Sequence, residues 1–273
     1  MRRIILSFAA LLIAGHAFAQ KTVYHDAAGL TVIGKAIPTS KAFTRIDTSA
    51  YRFNDKVIDD YACHSTGLAV LFATDSPFIK AKWQTSPANA SENMTAIAQK
   101  GLDLYIRQDG EWVFAGVGTP SVKEGHVDVH EGQIVADMAE GMKECLLYLP
   151  LQSVVSELQI VTDEDSRVLP IDNPFKGRIA VFGSSYTHGA SAERPALTYS
   201  AQLSRMTGYQ FINMGFCGNS KLQPYFADAL LDAENVDAYV FDAFSNPTPE
   251  QMEERLFPFI EKFQARKPGI PLI

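Results

Sequence analysis

Cysteine is scarce: Cys63, Cys145 and Cys217 are the only three in 273 residues, an odd number that argues against a disulfide-built scaffold. At most one bridge can close, and the sequence leaves open a Cys63–Cys145 pair or buried free thiols. No block of Lys and Arg occurs and the formal net charge is −7. That excludes the clustered positive charge that nucleic acid or an anionic membrane surface requires of a partner. Long apolar runs are also missing, since Ile4 to Ile13 falls short of the roughly 20 residues that cross a bilayer. Within MRRIILSFAALLIAGHAFAQ, Arg2 and Arg3 precede that run and Ala17-Phe18-Ala19 follows it, the layout of a secretory signal peptide. Residues 1–19 are therefore expected to be removed. The protein is expected to be periplasmic or secreted, with no membrane span after cleavage.

Several chemical signatures are absent too. There is no GxxxxGK[ST] phosphate loop, no GxGxxG dinucleotide turn and no GxSxG elbow. His126 and His130, in GHVDVHEG, lack convincing zinc spacing and read as loop or strand surface. No cofactor and no metal is expected.

What is present divides into two rhythms. Residues 20–169 alternate in short runs: SPFIKAKWQ sets Ile79, Ala81 and Trp83 on one side and Lys80, Lys82 and Gln84 on the other, a strand with one wet face. GLDLYIRQDGEWVFAG reads as a hairpin turning at Asp109-Gly110. GLAVLFATD, ECLLYLPLQ and VVSELQIV add strands, and the sum predicts an antiparallel β-sandwich, jelly-roll-like. Such a half could bind sugar or serve as a structural cap. After the VLPIDNPFKG linker, residues 170–273 alternate strands with helices: RIAVFG, ALTYSAQLSRM, QFINMG, KLQPYFADALLDA and DAYVFDAF. In PEQMEERLFPFIEKFQARK a helix period aligns Met252, Leu256, Phe259, Ile260 and Phe263, with Pro258 a point of kinking. This order predicts a three-layer α/β domain with a mostly parallel sheet. The final IPLI reads as the start of a further strand, and the chain is expected to be truncated within this domain.

Ligands of open parallel sheets gather at the carboxyl ends of the strands. Three polar turns fall there: GSSYTHG, GFCGNS and FSNPTPE. A serine at a helix start, a glycine amide and an asparagine amide suit acyl transfer, the first as nucleophile and the others as oxyanion donors. Ser185, Gly218 and Asn246 fit those roles, with Ser184 the competing hydroxyl. His188, three residues beyond Ser185 in a tight turn, is expected to point away from it rather than act as its base, and is read as lining the pocket or solvated. Arg194 is read as binding substrate or bracing the turn, and Asp242 as bracing neighbouring loops.

The same turns resemble the sequence blocks of the SGNH, or GDSL-like, hydrolases. FGSSYTHG resembles the first block, with Ser185 at the nucleophile. NMGFCGNS resembles the second, with Gly218 at the oxyanion glycine, and FSNP the third, with Asn246 at the oxyanion asparagine. GLDLY, residues 101 to 105, resembles the GxDLY signature of the β-rich domain that precedes some of these esterases. Ser184 stands where the GDS form has an acid, and Phe244 where the third block usually has glycine. The resemblance implies a secreted or periplasmic serine esterase that removes acetyl groups from carbohydrate or small esters. It also implies an Asp-x-x-His block near the domain's end, and no histidine follows Pro247 here. The chain is therefore expected to lack its catalytic base. The alternative is an exported carbohydrate-binding or structural protein with a degenerate, non-catalytic α/β half.

Overall fold

The computed structural model describes residues 21–87, 91–121 and 128–273. The expected leader at residues 1–19 and His126 lie outside the described residues. The first half runs β1 (Thr22–Asp26), β2 (Thr31–Ile33), α1 (Lys56–Cys63), β3 (Ala69–Thr74), β4 (Ile79–Thr85), α2 (Ala96–Lys100), β5 (Leu102–Gln108), β6 (Glu111–Gly118), β7 (Asp128–Val135), β8 (Lys143–Tyr148), β9 (Val155–Asp163) and β10 (Val168–Pro170). The second continues with β11 (Arg178–Gly183), α3 (Ser185–His188), α4 (Tyr199–Thr207), β12 (Gln210–Gly215), α5 (Pro224–Leu231), β13 (Ala238–Asp242) and α6 (Pro249–Arg266).

Alternation dictates the first half. Along β4 every second residue is buried, with Ile79, Ala81 and Trp83 inward, as its period requires. β5 and β6 pair across Asp109 and Gly110, whose φ angles of 50° and 88° are the left-handed values a tight hairpin needs. Two antiparallel sheets result, one in the order β1-β9-β4-β7 and one in the order β10-β3-β8-β5-β6 with β2 beside β3. They share one core, to which Ile79, Trp83 and Ile160 come from the first sheet and Phe72, Leu104 and Leu147 from the second. Cys145 is buried in that core, Cys63 and Cys217 are half-buried, and all three are free thiols.

His130 corrects an expectation. It lies on β7 but faces inward, buried beside the Trp83 ring, with Nε2 2.9 Å from Thr85 Oγ1 and Nδ1 accepting the Ser121 N–H at 3.0 Å. Both ring nitrogens being satisfied internally explains why a histidine is tolerated in an otherwise apolar layer.

In the second half β12-β11-β13 form a parallel sheet. α6 starts with a capping box, Thr248 and Gln251 each satisfying the other's backbone N–H, and buries Phe259 and Phe263 against Phe182, Tyr239 and Phe241. IPLI contributes one parallel bridge, Leu272 to Tyr239. The core under this sheet also takes Ala36, Ile46, Phe53, Ile58 and Ala62 from the first half of the chain. The segment carrying α1 thus leaves the β-rich half and packs on the other, a crossing that no periodicity announces.

Candidate active site

Strand register puts the three polar turns on one edge. Gly183 at the end of β11 pairs with Gly215 of β12 on one side and with Asp242 of β13 on the other, so all three strands end level. The chain leaves the sheet from these points into the turns bearing Ser185, Gly218 and Asn246.

The two serines of the first turn separate cleanly. Ser184 is fully buried, and its hydroxyl accepts the Tyr186 N–H at 3.3 Å as the N-cap of α3. Ser185 is half-exposed, and among the described residues its hydroxyl has no hydrogen-bond partner. Gly218 is exposed, and its N–H likewise has no partner among the described residues. Asn246 Oδ1 accepts the Ser220 N–H at 3.3 Å, which ties the third turn to the second and leaves the amide NH2 as its donor half. Asp242 braces this edge as expected: its Oδ2 accepts from Thr187 Oγ1 and from Tyr199 OH, each at 2.9 Å. The same carboxylate raises the Tyr199 phenol above its ordinary value, in addition to the larger effect of burial.

His188 and Arg194 are placed differently from the substrate-lining roles expected of them. His188 is buried, with Nε2 3.1 Å from the Leu151 carbonyl and Nδ1 accepting the Cys217 N–H at 3.4 Å. No face of the ring is left for a substrate or for the Ser185 proton. Arg194 reaches into the first half, 3.5 Å from Asp103 Oδ1 and 4.1 Å above the Phe114 ring, which is the bracing alternative. Asp103, the acid of GLDLY, is fully buried and also accepts the Ala196 N–H at 3.0 Å. Arg205 takes the Ala196 carbonyl at 2.9 Å while lying 4.1 Å over Tyr105. The GLDLY signature therefore grips the loop that follows the nucleophile turn.

Sequence reasoning missed Arg45. It is fully buried, and it donates to the carbonyls of Asn213 at 3.1 Å, Gly215 at 3.0 Å and Tyr61 at 2.7 Å, with its guanidinium 4.8 Å over Phe216. Burial pushes its pKa down to about 10, which leaves it charged at neutral pH. It supports the start of the Gly218 turn from beneath. Nothing in the local pattern around Arg45 signals this, because its partners are backbone groups, two of them on β12 more than a hundred residues away.

Burial and the Arg45 charge push His64 down to about 3, and burial, Arg45 and His64 hold His188 well below the ordinary histidine value. The unfolded chain therefore takes up these protons first. The stability held by both rings is intact above pH 6.5 and is lost as pH falls. At pH 5.5 a loss on the order of 1 kcal/mol is expected for each ring. Asp103 acts the other way: burial raises it to about 6, against the pull of Arg194 and the Ala196 N–H, so it returns about 1 kcal/mol over the same interval. Burial also holds His25 and His130 below the ordinary histidine value, so a net fall in unfolding free energy is expected between pH 7.5 and 5.5. Urea titrations at the two pH values measure it, and equal midpoints would refute it.

Among the described residues, no group of three or more His, Cys, Asp or Glu side chains is placed to hold a metal ion, and no helix is long and apolar enough to cross a membrane.

Residues 22–168 match the family described as GxDLY, the N-terminus of SGNH hydrolase-type esterases, and residues 176–273 match the GDSL-like lipase/acylhydrolase family. A Bacteroides ovatus protein assigned as a GDSL-like lipase is similar in structure, with a TM-score of 0.88 and 40% identity over 92% of this chain and 73% of that one. The salicylyl-acyltransferase of a tetracycline biosynthetic pathway shares the fold at a TM-score of 0.61 and 19% identity, covering 92% of this chain and 68% of that one. A family two carbohydrate esterase from Cellvibrio japonicus shares it at 0.55 and 13%, covering 92% and 78%. No curated protein matches the chain.

Proposed function

The chain belongs to the SGNH, or GDSL-like, hydrolases that carry a GxDLY N-terminal domain, and from that premise we propose that it hydrolyses carboxyl esters, removing acetyl groups from carbohydrate. Ser185 attacks the ester carbonyl. The oxyanion that forms is held by the N–H groups of Ser185 and Gly218 and by the Asn246 amide, and water then clears the acyl-enzyme. The observation that carries this reading is the level ending of β11, β12 and β13, which collects an unengaged serine hydroxyl, an unengaged glycine N–H and an asparagine amide at one edge. Carbohydrate esterases among the proteins of similar fold support the substrate class, and the signal-peptide pattern of residues 1–19 supports export to where polysaccharide is met.

His188 is unsuited to be the base, and no histidine follows it in the sequence. Acetate release from acetylated xylan and from a chromogenic acetyl ester, measured on the protein as its gene encodes it, tests the proposal. Release above the uncatalysed rate is expected. Retention of the polysaccharide with no acetate released would instead favour a glycan-binding protein with a degenerate α/β half.

A further inference from the structure

We propose that His188 is a positioning residue for the Gly218 oxyanion donor, holding it in register with Ser185 and anchoring both to the β-rich half of the chain. The inference rests on the esterase reading above, and it begins from hydrogen-bond valence. A backbone N–H can only donate and a backbone carbonyl can only accept. Because Cys217 N–H meets Nδ1 at 3.4 Å and the Leu151 carbonyl meets Nε2 at 3.1 Å, the ring must be neutral with its proton on Nε2. His64 Nδ1, 3.3 Å from the same Nε2, closes the remaining side. That one protonation state and ring orientation satisfies both backbone neighbours.

The consequence falls on the next peptide unit. Cys217 N–H is held by His188, and the Cys217 carbonyl accepts from Asn219 Nδ2 at 2.7 Å. That carbonyl shares a planar trans peptide with the Gly218 N–H, which therefore points the opposite way. The donor direction is set by these two bonds, one local to the turn and one from the nucleophile helix. His188 is the last residue of α3, whose first is Ser185, so nucleophile and donor are referred to the same short rigid element. Gly215 permits this closeness: a Cβ there would fall on the backbone nitrogen of His188. Asn213 adds a second tie by donating to the Thr187 carbonyl. On the far side, Leu151 belongs to the β-rich half, where Thr66 Oγ1 also donates to its carbonyl. Orientation of the oxyanion hole is thereby made to depend on the N-terminal half.

Two substitutions separate the two ends of the ring. Asn reaches only as far as Nδ1 and can still accept the Cys217 N–H, whereas Gln reaches Nε2 and can still donate to Leu151. His188→Gln is expected to lower kcat about 10- to 100-fold with KM changed less than about threefold, because a loosened oxyanion donor is felt in the transition state. His188→Asn is expected to keep kcat within about threefold of wild type while lowering the Tm, since it gives up the tie to Leu151. Hydrogen exchange at the Cys217 amide gives a readout independent of turnover: about tenfold faster in the Gln variant and unchanged in the Asn variant. Equal loss of kcat in both variants overturns the inference, as does faster exchange in the Gln variant with no change in kcat. Neither result touches the nucleophile assignment, which is read separately from Ser185→Ala.

Discussion

Ser185→Ala is expected to lower kcat for acetyl-ester hydrolysis by about 10⁴-fold or more, with the Tm unchanged. The hydroxyl has no hydrogen-bond partner among the described residues, so removing it breaks nothing in the folded state. What remains is catalysis by the oxyanion hole and by binding, which in serine hydrolases keeps a residual advantage of about 10³- to 10⁴-fold over water. Mass spectrometry of the protein quenched during turnover should show an acetyl adduct in the wild type and none in the variant. Ser184→Ala is the internal contrast. It removes the N-cap of α3 and should cost about 1 kcal/mol of stability, with a far smaller effect on turnover. Hydrolysis that survives Ser185→Ala but not Ser184→Ala would transfer the nucleophile to the neighbouring residue.

Asn246→Ala is expected to reduce kcat by about 10²- to 10³-fold with little change in KM, the cost of one oxyanion donor. The side chain does two things, and a second substitution separates them. Its Oδ1 accepts the Ser220 N–H, so part of the effect of alanine could come from a loosened second turn. Asn246→Asp keeps that acceptor but replaces the donor with a negative charge facing the developing oxyanion. Asp should therefore be as damaging as Ala or more so if donation is the role, and close to wild type if the Ser220 bond is all that counts. Steady-state kinetics on a chromogenic acetyl ester decide between the two.

The acid arm of the stability curve draws on the burial of His64 and His188 beside Arg45, and the kinetics of His188 on the engagement of both its ring nitrogens. A histidine three residues from a serine invites assignment as its base. The geometry gives it the opposite character: a ring that is neutral, immobile and shielded, useful for holding backbone groups rather than for moving protons. Arg194 underwent a similar change. In the sequence it lies close enough to the nucleophile turn to be a substrate ligand, yet its guanidinium is committed to Asp103 and Phe114 across the junction between the halves.

Local pattern was enough for much of this chain. Alternation in SPFIKAKWQ, the Asp109-Gly110 turn and the helix period from Met252 to Phe263 each state a preference that depends on near neighbours alone, and tertiary packing agrees with all three. The sequence by itself therefore determined the antiparallel first half, the parallel second half, the family, and the three turns that face one another at the strand ends. Only the tertiary structure decided which serine of the pair is unengaged, that the segment with α1 crosses to the second core, and that Arg45, His188 and the GLDLY acid are spent on backbone groups of distant loops. The physical reason is that a hydrogen bond to a backbone carbonyl or N–H asks nothing of the partner's side chain. Such contacts leave no trace in the partner's residue type and exist only once the chain has closed in space.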